Sequence, residues 1–570
     1  DAPPLERNRD AVAAVSGTQA PARRSAVCGE AAGGGRAAGV GGGKNKGNIK
    51  MKTILSHILF CSDTAGKKRD LYVRTSGAVT VEKDKAVLTK GAALSFFTYF
   101  NAFFYSFYAL YTDVSHVSPY ILFSGKLTVR LICRTLFQQK IVFQETVSGE
   151  RRSVSFPACR LDALPPGGAL YLELEGLEDG SVLYESGYET SCEPNREVYV
   201  AAIICTYRRE AYVSRNVKLL REQIWENPDC SIRQALDLLV VDNGKTLQME
   251  DAPHLRVLQN KNYGGSGGFT RGMMEALEAG RYSHMLLMDD DISFEPEIFF
   301  RTVQILRFER QGKRPLWIGA QMLSEKQPAM QYESGACFQK GRIKGFGRHL
   351  DLSEEHSLLL NEEQRQVQYT AWWFCCMPAA CAAKTGLPLP FFFKGDDLEY
   401  GIRNQPAILL MNGIGVWHAA FEEKYSPYLE YYIKRNELVV SAVHRLGGAW
   451  QGAEKLIRAA GKAFLTGNLK TVAFLQMAYQ DYLKGPSFFF SLDDESHHLF
   501  LLQKNREPEK KRLLVFLTAP FRVAGLCVRF LHQNAAAAQH YRDSFPYLTS
   551  QEFWAQRLGL NQQGEGEKKP

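Results

Sequence analysis

The 570-residue chain carries 69 Lys plus Arg against 61 Asp plus Glu, a formal charge of +8, and is 45% hydrophobic and 23% charged. That balance suits a multidomain globular protein. The charge is modest for this length and no aromatic-flanked basic cluster of the RNA-binding type occurs, so no nucleic-acid partner is expected. The twelve cysteines form no CxxC pair, which argues against a zinc module or a disulfide framework and points to a reducing, cytoplasmic setting. No apolar run reaches the roughly 18 residues of a membrane-spanning helix.

Residues 1–50 are rich in Ala, Gly and Arg and end in GVGGGKNKGN, a composition that cannot bury enough surface to fold. The glycines are not a phosphate loop, because Lys44 is followed by Asn45 and no strand precedes them. Met51 opens MKTILSHILF, which has a basic start but no small-residue cleavage site after it, so a secretory signal is not expected. Residues 1–68 are read as a disordered extension, with Met51 the more natural start.

Residues 69–196 show short alternating segments, among them AVTVEK, LTVRLICR and ALYLELEGL, broken by Pro165-Pro-Gly-Gly168 and Asp179-Gly180. This predicts an antiparallel β-sandwich. Ser95 to Tyr111 is dense in aromatic residues that either stack on sugars or, as the more common use, fill a core or dock on the next domain.

Over residues 197–430 the pattern becomes α/β. Val198 to Ile204 is a continuous apolar run, as in a strand buried on both faces. A helical segment follows, then strands at Leu236 to Val241 and Leu255 to Gln259, the glycine-rich Asn260 to Met273, a helix over Met273 to Ala279, and the strand His284 to Asp289. Alternating strands and helices predict a mostly parallel sheet whose ligand crevice lies beyond the carboxyl ends of the strands. Residues 431–558 read as helical, with Lys510, Lys511, Arg512, Arg522 and Arg529 interspersed among apolar residues, a character suited to peripheral contact with an anionic membrane or to packing with solvated basic faces. Residues 559–570 read as a loose tail.

The motifs sit at the strand ends. Asp289-Asp290-Asp291 places three carboxylates where they would repel one another without a cation, and oxygen ligands suit Mg²⁺ or Mn²⁺ shared with substrate phosphates. Asp242 can accept hydrogen bonds from a base or ribose, with Thr206 and Arg208 flanking the same nucleotide. Gly264-Gly265 and Gly267-Gly268 would allow close approach of a phosphate chain, with Arg271 paired to it. Downstream come Gln331-Tyr-Glu333-Ser-Gly, Trp372-Trp373, Lys394-Gly-Asp396-Asp397-Leu-Glu399-Tyr-Gly and Val416-Trp417-His418. A carboxylate there can remove a hydroxyl proton, a His can complete a metal shell, and Trp rings can stack on a sugar.

From about Leu71 to the C-terminal helices, the ordered set CTYRR, VDNG, NKNYGGSGGFTRGM, MDDDI, YESG, AWWF, KGDDLEYGIR and VWH resembles the bacterial polymerising galactofuranosyltransferases, inverting family 2 transferases that use UDP-galactofuranose. The resemblance implies an N-terminal β-sandwich, a central GT-A (Rossmann-like) catalytic domain and a C-terminal helical domain. It implies Asp289, Asp291 and His418 as ligands of Mg²⁺ or Mn²⁺ and Asp397 as general base. Thr206, Arg208, Asp242 and Asn262 would lie at the nucleotide, and Asp290, Glu333, Trp372, Trp373, Asp396 and Glu399 around donor and acceptor sugars. The implied partners are a UDP-sugar donor and a glycan or glycolipid acceptor, with a homo-oligomer allowed and a location in the cytoplasm, peripheral to the inner membrane. Another nucleotide sugar, such as dTDP-rhamnose or UDP-glucose, and a non-catalytic carbohydrate-binding protein are the rival readings.

Overall fold

The computed structural model describes residues 52–61, 67–339, 342–420, 425–508 and 512–560. The expectations for residues 1–50, for Lys510 and Lys511, and for most of the terminal tail lie outside the described residues.

The N-terminal strands form one ten-stranded sheet organised on a long hairpin. The twenty-residue strand His116–Thr135 pairs with Gln139–Ser155 nearly along its length. On its other edge it pairs first with Ser181–Thr190 and then, beyond Gly125, with Gly168–Gly176. Gly125 adopts φ 92° at the register shift, a conformation open to glycine, and there the sheet divides into two leaves. The leaves meet inside: Tyr188 of one donates a hydrogen bond to the Leu170 carbonyl of the other at 3.3 Å. The sandwich is thus a single folded sheet.

One boundary moves. Thr53–His57, inside the stretch expected to be a disordered extension, is a strand paired antiparallel with Ser181–Thr190. Leu55 is fully buried there, so a five-residue segment gains from packing and pairing what its neighbours in sequence could not.

The aromatic segment is packing material. Phe96, Phe97, Tyr99, Phe100, Phe103 and Phe104 are all at most 2% exposed, and Phe100 meets the Trp417 ring at 5.7 Å. The N-terminal sheet therefore buttresses the strand Gly415–His418. A second tie is polar. The His57 backbone N–H and Nδ1 bond to Glu297 at 2.7 and 2.9 Å, and Arg301 joins Glu297 at 3.2 Å while donating to the His57 carbonyl at 2.9 Å.

The central sheet has seven strands in the order Leu255–Gln259, Leu236–Asp242, Val200–Thr206, His284–Asp289, Phe374–Pro378, Leu316–Gly319 and Ala407–Leu409. The first four are parallel. From Val200–Thr206 the chain lays two strands to one side, then crosses to place His284–Asp289 on the other. That switch point opens the crevice, and the register sets Cys205 beside Asp289 and Thr206 beside Asp242. A five-stranded sheet from Ser293–Phe294 to Leu350–Asp351 adjoins it.

The helix read as Met273 to Ala279 begins earlier, at Gly264. Its glycines are used for close packing. A methyl on Gly264 would overlap the Phe392 carbonyl, one on Gly268 the Cys205 sulfur, and one on Gly272 the Ile203 side chain. The stretch is accordingly a helix pressed onto the central strand, and its low helix propensity is offset by that contact.

The helices Leu429–Val443, Ala449–Leu465, Leu469–Leu483, Ser487–Ser491, Asp494–Arg506, Arg512–Leu548 and Gln551–Leu558 make up the C-terminal part, which the sequence reads as helical from residue 431. Among the described residues no helix is long and apolar enough to cross a membrane.

Candidate active site

Asp289 ends its strand, and the next three residues turn back into Ser293–Phe294, which pairs antiparallel with Gly415–His418. The register opposes Ser293 to Trp417, so His418 comes to lie beside Asp291. His418 Nε2 is 3.2 Å from Asp291 Oδ1 and 3.8 Å from Asp289 Oδ2. One ligand atom from each of Asp289, Asp291 and His418 lies within 4.8 Å of the others. Desolvation pushes Asp289 up to about 6 against the pull of His418, and Asp291 and Asp290 add repulsion. Two carboxylates and an imidazole in this cluster fit a divalent cation such as Mn²⁺ or Mg²⁺.

Asp290 faces the other way. Its carboxylate accepts from Thr206 Oγ1 at 2.8 Å and Arg209 Nη1 at 3.0 Å, and its carbonyl accepts from Asn216 at 2.9 Å. Arg209 also pairs with Asp291 at 2.7 Å. Sequence reading named Arg208 and passed over Arg209. Arg208 adopts φ 55°, which breaks strand alternation, and its guanidinium lies over the Tyr207 ring while its stem lies beside Gly244.

The expected nucleotide residues are dispersed in role. Asp242 is buried and accepts from the backbone N–H groups of Gly244, Thr246 and Leu247 at 2.8 to 2.9 Å, shaping the loop after its strand. Asn262 accepts from Gly264 N–H at 3.1 Å, closing the turn that leads into the glycine helix. Arg271 is two turns into that helix and pairs with Glu275 at 2.8 Å; it is not brought to the acidic cluster.

The second acidic centre starts the helix Asp396–Asn404, entered through Gly395 at φ 89°. Ser266, in the first turn of the glycine helix, donates to Asp396 at 2.9 Å. Desolvation, with Asp396 as the nearest repelling charge, pushes Asp397 up to about 7. Glu333, buried and bonded to Arg348 at 2.7 Å, is also raised by desolvation. One cation links the two centres: Lys394 draws Asp289, Glu333, Asp396 and Asp397 downward together. The sequence showed Lys394 in its motif beside Asp396 and Asp397 without marking this role, which also depends on Asp289 and Glu333 from elsewhere in the chain.

Glu399 is fully buried, held by Arg403 Nη2 at 2.5 Å and His444 Nε2 at 2.8 Å, and faces the protein interior. Trp373 is in the core, donating to the Ala320 carbonyl at 2.8 Å. Trp372, 4% exposed, stands edge-on to Phe269 and Tyr400. As the chain stands, neither ring offers an open face.

The sheet carries carboxylates at its switch point and a second acidic pair on a nearby helix, and this region, residues 194–420, matches the glycosyltransferase family described as "Glycosyltransferase like family 2". The resemblance reaches beyond that domain. The chain is 28% identical over 474 residues to galactofuranosyltransferase GlfT2 of Mycobacterium tuberculosis, covering 76% of this chain and 70% of that protein. It is 27% identical over 430 residues to galactofuranosyltransferase GlfT2 of Mycolicibacterium smegmatis, covering 70% and 65%.

Proposed function

We propose that this chain transfers galactofuranose from UDP-galactofuranose to a growing cell-surface glycan, with inversion at the anomeric carbon. The observations that carry the reading are the two acidic centres of the crevice, Asp289 and Asp291 with His418 able to hold a cation and Asp396 and Asp397 at the start of their helix, while the likeness to two galactofuranosyltransferases supports the sugar.

Asp289, Asp291 and His418 would hold the divalent cation. Bound there, Mn²⁺ or Mg²⁺ supplies positive charge to the diphosphate that leaves with UDP. Arg209 holds Asp290 and Asp291 in place, and Lys394 adds charge toward the same space. Asp397, ionised above its raised pKa, accepts the proton of the acceptor hydroxyl as that oxygen attacks from the face opposite the departing UDP. Asp396, tied to Ser266, keeps Asp397 company as a second negative charge and so sustains its basicity.

A panel of UDP-galactofuranose, UDP-glucose and dTDP-rhamnose, assayed with a galactofuranosyl acceptor and Mn²⁺, tests the donor. Transfer from UDP-galactofuranose at least tenfold faster than from the others is the expected outcome. Comparable or faster use of another donor would replace the sugar in this reading, and no turnover of any donor would remove the catalytic reading.

The acceptor is proposed to be lipid-linked and met at an anionic membrane surface. Supporting this, Leu514, Leu517, Phe521 and Val528 line one helix at 52, 58, 79 and 55% exposure, with Trp450 at 79% and Leu465 at 86% on its neighbour. Arg522 and Arg529 are exposed beside them. Such an apolar stripe flanked by arginines suits the headgroup boundary.

A further inference from the structure

The turn that delivers Asp396 and Asp397 is unusual along its whole length. Phe392, Lys394 and Gly395 adopt φ of 65°, 67° and 89°, and the first two pay for left-handed backbone with a Cβ in place. Such a turn persists only where its surroundings fix it. Here four successive carbonyls are each held from outside: that of Phe391 by Arg435 Nη2 at 2.8 Å, Phe392 by the Gly265 N–H at 2.8 Å, and Phe393 and Lys394 by Asn436 Nδ2 at 2.9 and 2.6 Å.

Three of the four bonds come from two adjacent side chains on the helix Leu429–Val443. Arg435 is 1% exposed, and its hydrogen-bond partners are neutral: the Phe391 carbonyl, Asn436 Oδ1 at 2.9 Å and the Tyr431 hydroxyl at 3.3 Å. The faces of Tyr431, Tyr432, Phe488 and Phe489 surround it at 5.2 to 5.5 Å. Burying a guanidinium among neutral partners is costly, and a shorter or neutral side chain would not reach these acceptors together with a planar fork. Its bond to Asn436 also orients the amide that holds the next two carbonyls.

We infer that Arg435 and Asn436 are positioning residues, which set the backbone of residues 391–395 and through it the placement of Asp396 and Asp397. The inference rests on the proposed reaction for its kinetic consequence, and on geometry alone for its structural one. Neither residue touches the cluster of Asp289, Asp291 and His418, which is carried by other strands.

The test uses the full chain with Arg435→Lys, which keeps the charge and removes the fork, and Asn436→Ala, which empties the amide position. The expected result is a fall in kcat of roughly ten- to a hundredfold, with the donor KM within threefold and Mn²⁺ affinity unchanged. Amide hydrogen exchange should quicken at residues 392–399 and stay the same at 285–289. Full kcat in both variants, or a loss of activity that only tracks a loss of folded protein, would overturn the inference. If the wild-type chain proves inactive on every donor, the exchange measurement still decides: unchanged protection at 392–399 in Asn436→Ala rejects the clamp, and selective loss supports it whatever the reaction is.

Discussion

Asp397 and Glu399 lie two residues apart on one helix and show how neighbours in a motif part company. Asp397 is raised to about 7 by desolvation and by Asp396, so the base form gains population as pH climbs through that value. The rate of transfer should therefore rise with pH up to a plateau a unit or so above 7, and a pH–kcat profile checks it; a flat profile from pH 5 to 9 would contradict the assignment. Asp397→Asn should lower kcat by about 10²–10⁴-fold while calorimetry shows UDP binding near normal. Burial pushes Glu399 upward, but Arg403 and His444 outweigh it and hold the carboxylate below its ordinary range. Composition and spacing put all six acidic residues of the two motifs in view, and the resemblance supplied their implied roles. What the sequence could not show is which way each faces: Asp290 is spent on Thr206 and Arg209 and Glu399 on His444, partners whose distance in sequence hides them, and Glu399 also on Arg403 one helical turn away.

At the scale of single elements, the glycine-rich stretch is the instructive case. Four glycines in five residues read as a loop for phosphate, because glycine's usual signal is backbone freedom. Only Gly264 uses that freedom, at φ 70°; Gly268 and Gly272 are small so that the helix can lie against Cys205 and Ile203. Gly268→Ala should therefore destabilise the protein despite its better helix propensity, by about 1–3 kcal/mol of overpacking, and urea denaturation measures it. A gain in stability would show that the helix can shift outward. The buried parallel strands were legible because an unbroken apolar run permits little else. The start of this helix was not, since propensity argued against it and the decisive contact comes from Phe392, about 130 residues on.

Across the whole molecule, two surfaces carry consequences. The exposed stripe of Leu514, Leu517, Phe521 and Val528 with Trp450 should bind vesicles: Trp450→Ser with Phe521→Ser should cut flotation on anionic liposomes several-fold and leave transfer to a short soluble acceptor intact. Equal flotation of the double variant would place membrane contact elsewhere. The other surface joins the N-terminal sheet to the helix Glu297–Arg307. Burial pushes His57 down, yet Glu297 outweighs it and holds the imidazole above its ordinary value near 6.5. A raised pKa gives stability that is complete below the ordinary value and is lost as pH rises through the folded one, so the melting temperature should fall on the alkaline side of that window. Glu297→Gln should remove the dependence and cost about 3–5 kcal/mol, the penalty for leaving one member of a buried pair; an unchanged melting profile would show that the tie is dispensable. The sequence separated sheet from α/β region by a change of hydrophobic period, but the tie itself joins residues about 240 apart and leaves no local trace.

That tie bears on how this gene can be cut and recombined. The family match begins at residue 194, and a fragment starting there is the obvious exchange cassette. It would leave Glu297 and Arg301 without His57, and Trp417 without Phe100 against its ring, on the two elements that flank Asp291 and His418. Swapping the catalytic segment between relatives therefore succeeds only if the N-terminal sheet travels with it, and the unit of inheritance is larger than the unit of chemistry.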